Sequence, residues 1–262
     1  MKRPLLALLL IPVVAIPALT AGFLGWVLYT SGGLQWLSAQ AKGWSDGVLT
    51  LEYEAGTLGE GANFAHIHYA SPAQSVRAEK VRIRVSPSSL LRLAPHVGEL
   101  QAAVVRVTMH ADQGEPARPL EVPGLPVSLQ VDAARIQQLL IVRGDETTAI
   151  DDVKLRYGGD ASAHRLHDAR LRVHGFDIAV AGNIGTSAPY PIDAQVAISR
   201  QEIEPHVSAR IRTRGNLQRL VLEGKAESAG ADLRADAEVD PVADLPLIRL
   251  NAALTGLDLR TL

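Results

Sequence analysis

From Ala231 to Asp240 the chain reads ADLRADAEVD, with Ala231, Leu233, Ala235, Ala237 and Val239 on one parity and five charged residues on the other. Unbroken alternation marks a strand with one dry and one wet face. The pattern recurs along most of the chain. Val48–Tyr53 alternates, and in Val81–Val85 the residues Val81, Ile83 and Val85 oppose Arg82 and Arg84. AVVRVTMH carries Val105 and Val107, DVKLRY carries Val153 and Leu155, and ARLRVHG carries Leu171 and Val173. VSLQVD, LLIVRG, FDIAVAGNIG, PIDAQVAIS, VSARIRTRG, RLVLEGKAES and LIRLNAALTG read the same way, and Gly, Asp, Asn or Pro stands at nearly every join. Two short helices interrupt this series. Ser31–Lys42 puts Leu34 and Leu37 on one side, and Ser86–Pro95 is opened by Ser86 and Pro87 and stopped by Pro95. The Pro-rich stretch Gly114–Pro126 reads as an exposed crossing.

Some segments repeat one another. LHDARLRVHG and NLQRLVLEGKA share Leu-x-x-(Ala/Leu)-x-Leu, and IQQLLIVRGD is a looser copy. Repeated strand units favour an extended architecture that grows by addition. A dry face must meet something. In a sandwich it meets a second sheet. In a continuing meander it forms an apolar trough too large to leave to water, which calls for an apolar guest. Both remain open at this level. The expected fold is mainly β: an elongated, twisted antiparallel groove of repeated strand units, with one or two short helices, behind an N-terminal transmembrane helix.

That helix is read from Leu5–Tyr29, an uncharged run preceded by Lys2 and Arg3. As a helix it spans roughly 37 Å, against a bilayer core of about 30 Å. It is longer than the apolar region of a cleaved signal peptide, and no Ala-x-Ala closes it, so it is read as an uncleaved anchor. Trp26 and Tyr29 sit where aromatic rings anchor at an interface, and Lys2 and Arg3 keep the N-terminus cytoplasmic. The division expected is 1–30 for the cytoplasmic tip and anchor, 31–47 for a membrane-proximal helix and linker, and 48–262 for the exported β-region.

Composition narrows the function classes. The 262 residues carry a net charge of −2 and 4% aromatics, which gives neither a basic footprint nor stacking platforms for nucleic acid. With no cysteine there is no disulfide, Cys-ligated zinc or thiol nucleophile. No Gly-x-Ser-x-Gly, P-loop, His-Glu-x-x-His or Gly-x-Gly-x-x-Gly occurs, so no catalytic, cofactor or metal residues are nominated. His66 and His68 share a strand face but lack a third ligand in reach. Asp151 and Asp152 read as turn residues, and His164 and His167 as loop residues around Arg165. Arg82, Arg84, Arg170, Arg172, Arg210, Arg212 and Arg214 read as a charged outer face.

In order, the anchor followed by SGGLQWL, then LTLEYEAGTLGEGANFAHIHYA, KVRIRVSPSSLLRLAPHVGELQAAVVRVTMH, PVSLQVDAARIQQLLIV, GNIGTSAPYPIDAQVAI, GNLQRLVLEGKA and LTGLDLRTL resemble the N-terminal part of a TamB-type, AsmA-like inner-membrane protein. The family runs far beyond 262 residues, so a truncated chain is expected. The resemblance implies no enzyme and no cofactor. It implies a periplasmic bridge whose apolar groove carries phospholipid between the inner and outer membranes. The alternative it implies is assembly of outer-membrane proteins or autotransporters with a TamA-like barrel, met through the missing C-terminal part. The groove candidates are Val81, Ile83, Val85, Val105, Val107, Val153, Leu155, Leu171, Val173, Leu233 and Val239.

Overall fold

In a computed structural model the described residues are 22–23, 25–72, 74–92, 94–110, 122–200, 206–243 and 246–256. The alternating segments become one sheet of 13 strands laid down in chain order. Helix α1 (Ser31–Trp44) precedes β1 (Leu49–Thr57), β2 (Gly61–Ala70) and β3 (Gln74–Val85). Helix α2 (Pro87–Leu91) leads into β4 (His96–Met109), β5 (Leu129–Arg143), β6 (Glu146–Gly159), β7 (Ala163–Val173) and β8 (Phe176–Gly185). The series ends with β9 (Pro191–Arg200), β10 (Val207–Asn216), β11 (Arg219–Ser228), β12 (Ala231–Val239) and β13 (Leu247–Thr255). Tight turns join several pairs. His174–Gly175 and Ala229–Gly230 hold positive φ at both positions, as the hairpin turn that matches strand twist requires.

Among the described residues, strands contact their sheet neighbours and α1 contacts β1, and no second sheet packs on either face. That removes the sandwich. The sheet is not antiparallel throughout, however: β4 and β5 run parallel. A parallel pair needs a crossover of a dozen or more residues, and residues 110–128, which include the Pro-rich crossing, supply it. Residues 111–121 of that crossing lie outside the described set.

Three more readings are corrected. VSLQVD and LLIVRG belong largely to the single strand β5, and Asp151 and Asp152 lie within β6 rather than at a turn. His164 and His167 likewise belong to β7 rather than to a loop. The cause is a line of irregularities running across the sheet. Phe64 and Ile67 pack in one cluster, as do Ala78 and Val81, and Ala102 and Val105. Residues three apart in a regular strand face opposite ways, so each of these strands changes parity between them. The seam continues through cross-strand partners: Ala102↔Ile136 and Val105↔Leu139, then Ile136↔Val153 and Leu139↔Ile150. Lys80 and Asp152 sit on it with φ of 51° each, a conformation that Asp tolerates better than most. Such irregularities bend a sheet and increase its twist.

The buried core is at the N-terminal side. Leu34 of α1, 2% exposed, meets Ala62, Phe64, Val81 and Ala102 of β2–β4, with Leu37 and Leu51 packed around them. Thr30 caps α1 by accepting from the Gly33 N–H at 3.0 Å. A Cβ on Gly33 would stand 2.4 Å from the Trp26 carbonyl oxygen, so the chain before α1 can approach this closely only at a glycine. The expected membrane span lies mostly outside the described residues, as do Lys2 and Arg3; residues 22–23 and 25–29 are helical. Among the described residues no helix is long and apolar enough to cross a membrane.

Where the crossover rejoins the sheet, it is tied to the β6–β7 turn. The Leu125 N–H donates to the Asp160 carbonyl at 3.1 Å, and a His164 ring nitrogen bonds the Pro123 carbonyl at 2.8 Å. Asp160 organises the turn. Its carboxylate accepts from the Ser162 hydroxyl, the Arg165 guanidinium and the backbone N–H groups of Ser162 and Ala163, in an order of influence led by the hydroxyl, and these bonds hold its pKa far below the usual carboxylate range. A depressed pKa gives stability that is full above the unfolded-state value and is lost as pH falls through the folded one. Asp160→Asn is therefore expected to melt below the parent at pH 7, with a gap that narrows progressively below about pH 4. Thermal melts at several pH values check this; a gap independent of pH would contradict it.

Candidate functional site

Strand parity and register define one apolar face across the whole sheet. On β8–β10 the rungs read Ile178↔Ile198↔Ala209, Val180↔Val196↔Ile211 and Ile184↔Ile192. On β11–β13 they read Leu222↔Ala237↔Leu250, Ala226↔Leu233↔Leu254 and Leu220↔Val239. Direct cross-strand partners share a face, so the apolar positions form an unbroken surface.

Cover over this face is uneven. Under α1 it is protein-filled: Val81 is 3% exposed and Ala102 is also buried, and beyond that cluster Val85 and Val153 are buried as well. Past Ala169 the face has no buried residue among the described strands, Leu217 being buried in the β10–β11 turn. Leu233 is 39% exposed, and Leu250 and Leu254 on β13 more than half exposed. Nothing in the described chain lies over β8–β13.

The groove candidates divide accordingly. Val81 belongs to the core under α1, with Ile83 and Val105 packed beside it. Val85 and Val153 are buried, whereas Val107 is half-buried opposite Val76. Leu155, Leu171 and Val173 are half-buried and pair with Ala169, Ile178 and Phe176. Leu233 and Val239 lie on the uncovered part. The richest uncovered stretch is on β8–β11 (Ile178, Val180, Val196, Ile198, Ile211 and Leu222), none of which was singled out from sequence. Their alternation was visible; what could not be read was which strands α1 leaves bare.

The opposite face is polar and holds the depressions. Cavities of about 600, 300 and 420 Å³ open there, each lined mainly by residues of the charged parity. Small side chains such as Ala179 and Ala197 form floors between long Arg and Lys side chains. Ion pairs stud this face: Arg84–Glu99 at 3.6 Å, Arg170–Asp168 at 3.4 Å, Arg172–Asp177 at 2.9 Å and Arg214–Asp193 at 3.4 Å. All four keep an arginine at least 41% exposed, so each contributes at most about 1 kcal/mol. Their value is in keeping this face wet.

At the other end, three tryptophans, all that the chain has, gather with Phe23. Trp36 stacks edge-on to Phe23 and to Trp44, and Trp26 lies 6.2 Å from Trp36. Trp26, Tyr29 and Trp44 are 41%, 61% and 66% exposed. His66 and His68 lie on β2, and among the described residues no group of His, Asp or Glu could hold a metal.

Residues 20–124 match the family model described as TamB, N-terminal domain. The match covers α1, β1–β4 and most of the crossover, the region that holds the buried cluster around Leu34. No curated protein and no solved structure matches the chain.

Proposed function

We propose that this chain, which carries a TamB-type N-terminal domain over residues 20–124, is a membrane-anchored, non-enzymatic carrier of phospholipid in the periplasm. The supporting observation is the uncovered apolar face of β8–β13. Acyl chains lie on it, while head groups stay in water beyond the strand ends. Each buried methylene contributes about 0.8 kcal/mol, so two chains bind firmly to a surface with no specific pocket. Because one rung resembles the next, moving along the face changes the energy little. The run Leu5–Tyr29 anchors the chain in the inner membrane with Lys2 and Arg3 in the cytoplasm, and the Trp26–Trp36–Trp44 cluster rests at the outer surface of that membrane. A TamA-like outer-membrane barrel is the protein partner on this reading. The test is to wash the full chain free of detergent in lipid-free amphipol and extract what remains bound. Phospholipid above the level carried by an anchor-only control supports the reading; none contradicts it.

A second reading has one observation in its favour. Every residue of β13, the last strand of the sheet among the described residues, is exposed, and a strand at a sheet edge can accept another by β-augmentation. On that reading the chain assists assembly of outer-membrane proteins. The same purified sample distinguishes the two: extended polypeptide on β13 instead of lipid on the apolar face.

A further inference from the structure

On the polar face, three cations stand directly opposite one another on three successive strands. Arg210 of β10 pairs in register with Lys225 of β11, and Lys225 with Arg234 of β12. Neighbouring strands lie about 4.8 Å apart, and like charges directly opposite destabilise a sheet. Among the described residues none of the three forms an ion pair, although arginines elsewhere on this face do. The next rung, two residues along each strand and so about 7 Å away, reads Arg212↔Glu223↔Asp236. Neither acid is paired, and Nε of Arg212 is buried with no hydrogen-bond partner. All six side chains line the same cavity of about 600 Å³, over a floor that includes Ala179 and Ala197. The remaining acid of the lining, Asp168, is already paired with Arg170.

A rung of three cations lies beside one in which two carboxylates, Glu223 and Asp236, stand next to each other, an arrangement that a purely anionic ligand satisfies only by half. We propose that this cavity binds a small zwitterion carrying a phosphate and a primary ammonium group. The phosphate sits over Arg210, Lys225 and Arg234, with Arg212 Nε as a further donor. The ammonium sits against Glu223 and Asp236. Bidentate donation by guanidinium suits phosphate oxygens, and carboxylates suit an ammonium. The site is on the side of the sheet away from the acyl-chain face, so it does not depend on the proposed carrier function. The same chemistry is available from a soluble aminoalkyl phosphate or from a phospholipid head group.

Titration calorimetry of the full chain in a phosphate-free maltoside micelle tests it, with O-phosphoethanolamine, inorganic phosphate and ethanolamine as probes. O-phosphoethanolamine is expected to bind saturably, about tenfold or more tighter than either half alone, a difference of roughly 1.4 kcal/mol. Lys225→Gln should abolish that binding without lowering the melting temperature, because it also relieves the central like-charge contact. Glu223→Gln should erase the advantage over inorganic phosphate, and Arg214→Gln, outside the cavity and paired with Asp193, should change nothing. Competition by dihexanoyl phosphatidylethanolamine identifies a lipid source, and its failure to compete identifies a soluble one; either supports the site. No saturable binding, or binding unchanged in Lys225→Gln and Glu223→Gln, overturns it.

Discussion

Phe64→Ala is expected to destabilise the chain by about 3–5 kcal/mol, the usual cost of removing a buried aromatic ring from a packed core. Phe64 is 4% exposed, meets Tyr53 edge-on at 6.2 Å and belongs to the cluster that seats Leu34 of α1. Its loss leaves a void that α1 can relieve only by lifting from the sheet. The damage should stay local, because among the described residues the strands contact chiefly their sheet neighbours, as in other arrays that grow by addition. Hydrogen exchange is expected to accelerate in α1 and β1–β4 while β9–β12 keep their protection. Denaturant unfolding followed by tryptophan emission reads the stability change, since all three tryptophans lie around α1. Uniform acceleration across the sheet would contradict a core confined to the N-terminal side.

The second large effect concerns lipid. Ile211→Glu places a carboxylate in the middle of the rung Val180↔Val196↔Ile211. An unpaired charge against acyl chains costs several kcal/mol or is driven to its neutral form. Copurified phospholipid is expected to fall by about tenfold or more, because each 1.4 kcal/mol is a factor of ten. The control is Val221→Glu. Val221 is apolar, 43% exposed and set on the polar face opposite Arg214, so a carboxylate there stays in water and leaves the lipid content near that of the parent. Quantitative mass spectrometry of extracts from the two variants decides the matter, and equal losses would contradict the assignment of faces.

Much of this was legible in the sequence. Strands β8–β12 follow from alternation, and the β10–β11 and β11–β12 turns from Asn216 and Gly230. Helix α1 was read as Ser31–Lys42 and spans Ser31–Trp44, and α2 begins at Pro87 as its Ser-Pro opening suggests. The middle of the chain was harder, and the reason lies in particular residues. In β5, Ile136 and Leu139 share a face although three apart, so a two-residue rhythm cannot hold across them. The repeated Leu-x-x-Leu-x-Leu motif records this: its three-residue step is the irregularity and its two-residue step the regular strand. Ile136–Leu139–Ile141 and Leu166–Ala169–Leu171 are both of this kind, the second with a register shift in the β7–β8 ladder at the three-residue step. The parallel β4–β5 pair was not visible because no local pattern records strand direction; only the long crossover hints at it. The two charged rungs of the polar face were hidden for a different cause. Arg210, Lys225 and Arg234 come from three strands, and only the register brings them together.

The central claim is that one face of this sheet, and not the other, meets lipid. The most direct measurement places a photo-activated diazirine amino acid at Leu222 and, separately, at Val221, in the full chain in intact cells. The two positions are adjacent, apolar and on opposite faces of β11, so hydrophobicity is matched and only the face differs. Phospholipid adducts at Leu222 with none above background at Val221 are the predicted result; adducts at Val221 alone, or equally at both, would contradict it.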